Sequence, residues 1–159
     1  MTRSATPETF SVERIYDHPL SLVFWAFTNL EAKTVWYGGG AQGWDVTHHS
    51  LDFTVGGWER WRGRPNPEAP WMTNDALYLD ILADERIIFS YHMTMDEALF
   101  TVSQQVLEFS AKGTGCHLKV VEQILFIDGV DHLEDRVAGT QGMLDTLAAY
   151  LSTLPESTK

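Results

Sequence analysis

Two carboxylates fall on strand faces that are otherwise apolar. In WERWR, Glu59 shares a face with Trp61; in HLKVVEQILF, Glu122 shares one with Leu118, Val120, Ile124 and Phe126. Strand side chains alternate, so if Trp61 and the apolar set point inward, both glutamates do too. A buried carboxylate is costly unless it is paired, hydrogen-bonded or protonated. Either glutamate therefore anchors a ligand or acts as a general acid/base with a raised pKa. The alternatives are a structural pair with Arg14, Arg60 or Arg62, or a register one residue away that turns the carboxylates outward. In RIIFSYHM the larger apolar set, Ile87, Phe89, Tyr91 and Met93, reads as inward, and Tyr91 adds a hydroxyl that could orient a ligand.

Six tryptophans offer stacking surfaces with one donor each, which suits an aromatic or polycyclic ligand as well as plain core filling. Trp58 is expected on the outer face. Metal chemistry finds no support in the spacing. His48 and His49 are strand neighbours that point to opposite faces, and Cys116 has no partner at zinc-site separation. There is no Gly-x-Ser-x-Gly elbow. Gly38-Gly39-Gly40 lacks the lysine of a phosphate loop and reads as a hinge or helix stop. Asp128-Gly129 reads as a turn, from which Phe126 and Asp128 could reach a ligand if that loop caps a cavity.

The elements that must hold these residues follow from periodicity. Thr9–Tyr16 alternates as a strand. His18-Pro19 opens a helix carrying Leu20, Val23, Phe24 and Phe27 on one stripe. A second short helix, Leu30–Tyr37, starts from a Thr28 or Asn29 cap. Strands are then expected through Leu51, Phe53 and Val55, over Trp58–Arg62, and at about 74–82, 86–95, 99–110 and 116–126. From about Asp135 to Leu154, Val137, Thr140, Leu144, Leu147, Leu151 and Leu154 keep a helical stripe. Strands joined by short turns predict an antiparallel meander, and the long helix must bury its stripe on that sheet.

The length, 159 residues, suits one domain with an ordered core of about 9–154 and frayed ends at 1–8 and in the tail ESTK. A formal net charge of -11 opposes binding to nucleic acid and to anionic membrane surfaces. A single cysteine points to a reducing cytoplasm. No apolar run approaches the roughly 20 residues of a membrane span, and MTRSATPETF does not read as a signal peptide.

The order strand, two helices, six strands, helix resembles the START-like superfamily, also called SRPBCC or helix-grip. ERIYDHPLSLVFWAFTNLEAKTVWYGG, LDFTVGGWERWRG, LADERIIFSYHM, VVEQILFIDG and GTQGMLDTLAAYL are similar to the bacterial branch of the family named for homologues of the activator of Hsp90 ATPase. The resemblance covers nearly the whole chain. It implies an α+β helix-grip fold (START/Bet v 1-like) over residues 1–159, with a curved sheet of six to seven strands around a long C-terminal helix. It also implies a cavity between sheet and helix, with the second short helix at its entrance. The expected function is enclosure of a small hydrophobic or aromatic molecule, without cofactor or metal. Its expected contacts are Trp36, Glu59, Trp61, Phe89, Tyr91, Met93, Val120, Glu122, Phe126, Leu144 and Leu147. A cyclase/dehydratase-type enzyme using a cavity carboxylate is the alternative, and an Hsp90 co-chaperone ranks third. A homodimer is a further expectation.

Overall fold

The computed structural model describes residues 2–155, so the tail Glu156–Lys159 expected to fray lies outside the described residues. Strand β1 (Ala5–Tyr16) leads into helices α1 (Leu20–Thr28) and α2 (Leu30–Trp36), and a short 3-10 turn follows at Gly40–Gln42. Six strands come next: β2 (Asp45–Leu51), β3 (Trp58–Arg64), β4 (Met72–Leu82), β5 (Arg86–Met95), β6 (Ala98–Lys112) and β7 (Gly115–Ile127). Helix α3 (Leu133–Thr153) closes the chain. All seven strands form one curved antiparallel sheet in the order β1-β7-β6-β5-β4-β3-β2. This is the helix-grip α+β fold, with the two short helices after the first strand.

Local chemistry accounts for the helix limits. Pro19 precedes α1, where its fixed φ fits the first turn. Asn29 caps α2, its Oδ1 accepting from the Ala32 amide at 3.0 Å. On α3, Thr140, Leu144, Leu147 and Leu151 are buried at i, i+4, i+7 and i+11 and seat the helix against the sheet. The Tyr16 hydroxyl donates to the Leu144 carbonyl at 3.1 Å, and Arg14 pairs with Asp145 at 3.0 Å, tying β1 to that helix.

Two sequence expectations need correction. Residues 5–8, expected to fray, belong to β1, because β7 is long enough to pair Ala5 with Ile127. Pro7 is tolerated there since β1 is an edge strand. The alternation through Leu51, Phe53 and Val55 does not continue as a strand, for β2 ends at Leu51. The Thr54 amide and hydroxyl both bond back to Asp52, at 2.9 and 3.0 Å, and fold the segment into a turn. Phe53 still packs on the core, while Val55 is exposed.

Candidate functional site

Alternation along β3 puts Glu59, Trp61 and Gly63 on the concave face and turns Arg60, Arg62 and Arg64 outward. The arginines expected as carboxylate partners are thus engaged elsewhere. Arg60 pairs with Asp75 at 3.3 Å and lies over Trp58, and Arg62 stacks on Trp71. Glu59, 5% exposed, meets a lysine instead. Its Oε1 accepts from Lys33 Nζ and from the Tyr78 hydroxyl, both at 2.6 Å, and Oε2 lies 2.8 Å from His49 Nε2.

Burial pushes the Glu59 carboxyl up, but the Lys33 ammonium and the bonds from His49, Lys33 and Tyr78 outweigh it and hold the group down at about 2. A general acid needs the opposite shift, so Glu59 is an ionised structural acceptor. Because its folded pKa is depressed, its contribution to stability is present above its ordinary value of 4.5 and is lost as pH falls toward 2. We therefore expect the stability gap between wild type and Glu59→Gln, on the order of 3 kcal/mol at pH 6, to close between about pH 5 and pH 2. Urea midpoints across that range test this, and a pH-independent gap would contradict it.

Glu122 sits in a second buried cluster on the same concave face and is fully buried. Its Oε1 accepts from Gln105 at 2.6 Å, and Oε2 accepts from Tyr91 at 2.6 Å and Ser103 at 2.8 Å. Arg136, from the first turns of α3, approaches Oε2 at 3.5 Å and donates to the Tyr91 oxygen at 2.9 Å. Its other terminal nitrogen reaches Thr101 at 3.1 Å and Asp131 at 2.9 Å. Burial pushes the Tyr91 hydroxyl well above its usual range, with the Glu122 charge adding to it, so it serves as a donor.

Beside the Glu59 cluster lies an inner cavity of about 30 Å³, room for one water, lined among others by Trp36, Tyr37, Glu59, Trp61, Asn74, Tyr78 and Phe89. Trp36, Tyr37, Trp61, Asn74 and Met143 are shared with a larger, open pocket of about 390 Å³. That pocket runs between the sheet and α3, and its walls include Trp36, Trp44, Trp61, Met72, Met93 and Met143. Gly139 and Gly142 form its helical side, and a Cβ at either would meet open space. The opposite rim is the turn Gly38-Gly39. A Cβ there would lie 2.3 Å from Trp61 Nε1 at Gly38 and 2.2 Å from Trp44 Cγ at Gly39, so only glycine lets the two indoles lie against this backbone.

The sequence-predicted residues divide accordingly. Trp36, Glu59, Trp61 and Phe89 line the inner cavity, and Trp36, Trp61 and Met93 the open pocket. Tyr91 and Glu122 belong to the Arg136 cluster, outside both linings. Val120, Phe126, Leu144 and Leu147 are buried and line neither cavity. Asp128 is bonded to Arg3 and the Ser4 amide, so it holds the β1 end rather than a cap. Sequence reasoning missed Lys33, Tyr37, His49, Asn74, Tyr78 and Arg136. Two of these carried a signal. Lys33 lies one turn from Trp36, and Arg136 continues the Thr140 stripe backward by four residues.

Residues 17–152 match the family described as Activator of Hsp90 ATPase homolog 1-like protein. The chain belongs to that family. It is similar to an uncharacterised protein from Rhizobium leguminosarum, with 32% identity over 97% of this chain and 100% of that one, at a TM-score of 0.90. The Mll3558 protein from Rhizobium loti is 36% identical over 92% and 99%, with a TM-score of 0.84. An AHSA1-like protein from Aeromonas hydrophila shares the fold at 19% identity over 91% and 92%, with a TM-score of 0.67. No curated protein matches the chain. Among the described residues, no helix is long and apolar enough to cross a membrane.

Proposed function

We propose that this family member binds a small, largely apolar, aromatic molecule in the open pocket between the sheet and α3. The observation that carries this reading is the pocket wall, in which three tryptophans and three methionines surround about 390 Å³ with no charged side chain among them. Ligand sites typically occupy about 300–1,000 Å³ and are mostly apolar with a few fixed polar groups. Tyr37 and Asn74 supply those groups here. Affinity would come from burying aromatic surface and from sulfur–ring contacts. The enzyme alternative loses its acid at Glu59, whose carboxyl is depressed rather than raised. The unpaired, buried Cys116 suits a reducing compartment, and we place the binding activity in the cytoplasm.

A thermal-shift screen against lipids, flavonoids, aromatic acids and polyketide-like compounds tests the reading. A ligand at 100 times its Kd adds about 2.7 kcal/mol, which is roughly 5–11 °C for a chain of this size. Gly142→Leu should keep the fold, since helix propensity favours leucine by up to about 1 kcal/mol, and should reduce the shift by occupying part of the pocket. A flat response across the panel overturns the reading.

A further inference from the structure

The pocket carries donors that the protein itself does not use. Trp36 Nε1 donates to the Ala26 carbonyl at 3.0 Å, as a buried indole should. Trp61 is also buried, 5% exposed, yet its Nε1 has no hydrogen-bond partner among the described residues. Leaving such a donor unsatisfied is expensive, so native structures rarely keep one without a reason. A second unspent donor lies across the same wall. Asn74 and the Tyr37 hydroxyl are joined by one hydrogen bond of 3.0 Å. Whichever way the Asn74 amide is turned, that single bond leaves the pair at least one N–H or O–H to give.

The covering element is the Gly38-Gly39 turn, whose backbone lies against Trp61 Nε1. Both glycines have positive φ, 67° and 80°, and the 3-10 turn after them ends at Gly43, φ 73°. For the indole N–H to meet a molecule in the pocket that Trp61 already lines, this turn must shift, and its glycines have the backbone freedom to allow it.

Charge narrows what these donors would receive. No lysine, arginine or histidine lines the open pocket, so an anion entering it would shed water without meeting a cation. A net charge of -11 adds to that cost. Size narrows it further, since a cavity of about 150 Å³ holds one benzene ring and this one is large enough for two or three.

We propose that the ligand is a neutral, planar aromatic carbonyl compound of two or three rings, whose carbonyl oxygen accepts from Trp61 Nε1–H, with the Tyr37–Asn74 pair as the second donor. This inference rests on the reading of the pocket as a binding site. It adds a polar criterion that an aromatic hydrocarbon of equal shape fails.

The matched probes are 9-fluorenone, fluorene and 9-fluorenone-2-carboxylate, titrated by tryptophan fluorescence and calorimetry. The ketone should bind about tenfold more tightly than the hydrocarbon, the worth of one hydrogen bond, and the carboxylate more weakly than the ketone. In Trp61→Phe, which keeps a ring and removes the donor, the preference for ketone over hydrocarbon should fall to near unity. The ¹H–¹⁵N indole resonance of Trp61 in the unaltered protein decides the matter even if that variant does not fold. Fluorenone should shift it downfield, and fluorene should not. Equal binding of ketone and hydrocarbon, or an unmoved indole resonance with fluorenone bound, overturns the carbonyl assignment while leaving the pocket as a binding site. Binding of none of the three overturns the pocket reading and this inference together.

Discussion

Glu122→Leu is expected to destabilise the protein by about 3–5 kcal/mol, lowering Tm by roughly 6–20 °C at about 2–4 °C per kcal/mol. The carboxylate is fully buried and is the shared acceptor for Tyr91, Ser103 and Gln105. Leucine fills part of the volume but leaves three buried side-chain donors without their acceptor. Arg136 keeps Asp131 and Thr101, so its charge is not stranded. The penalty therefore comes mainly from the sheet donors. Glu122→Gln provides the control, because its carbonyl still accepts from Tyr91 and Ser103 and only the pairing with the Gln105 amide is inverted. It should cost clearly less than the leucine variant. Arg136→Met should also cost less, since three neutral donors continue to hold the carboxylate. Calorimetric melts of the three variants check the ranking. A neutral or stabilising Glu122→Leu would show that the carboxylate is retained at the expense of stability.

This cluster shows how far the sequence could be read. Period-two alternation in WERWR and HLKVVEQILF is a local property, and it places both glutamates on the concave face without knowledge of the fold. The partners are a different matter. Lys33 and Arg136 come from helices 26 residues before Glu59 and 14 residues after Glu122. Which helix face meets which strand is decided by tertiary packing, not by spacing along the chain. Arginines near Glu59 in sequence were turned outward by the same alternation that turned Glu59 inward. The long helix illustrates a second limit. Its buried stripe is legible because leucines mark it, whereas the pocket face is marked by Gly139 and Gly142, residues that signal nothing by hydrophobicity. The absence of a side chain is what leaves room there. The Asp52–Gly57 segment fails for a third reason, because the Thr54 amide bonds back to the Asp52 carbonyl, with a second bond between their side chains, in a stretch that hydrophobic alternation alone would call extended.

Lys33→Met should destabilise the fold by a similar amount, about 3–5 kcal/mol, and the pattern of its rescue distinguishes a buried pair from general packing. Removing the ammonium leaves Glu59 ionised in a site 5% exposed, with only Tyr78 and His49 to stabilise its charge. Burial, which pushes the carboxyl up, is then opposed by two hydrogen bonds rather than by a full charge. Acid unfolding of Lys33→Met should accordingly begin at a higher pH than in wild type, because a group whose folded pKa rises loses its stabilising contribution sooner as protons are added. The double variant Lys33→Met/Glu59→Leu removes both charges. It should recover most of the loss, remaining about 1–2 kcal/mol below wild type for the acceptor that Tyr78 and His49 no longer have. A double-mutant cycle on urea midpoints at pH 7 reads the coupling directly. Additive single effects would mean that the 2.6 Å contact between Lys33 and Glu59 contributes no pairwise energy. Strong coupling would establish that the wall of the inner cavity is held by a charge pair, leaving the neighbouring tryptophans and methionines as the surfaces available to a ligand.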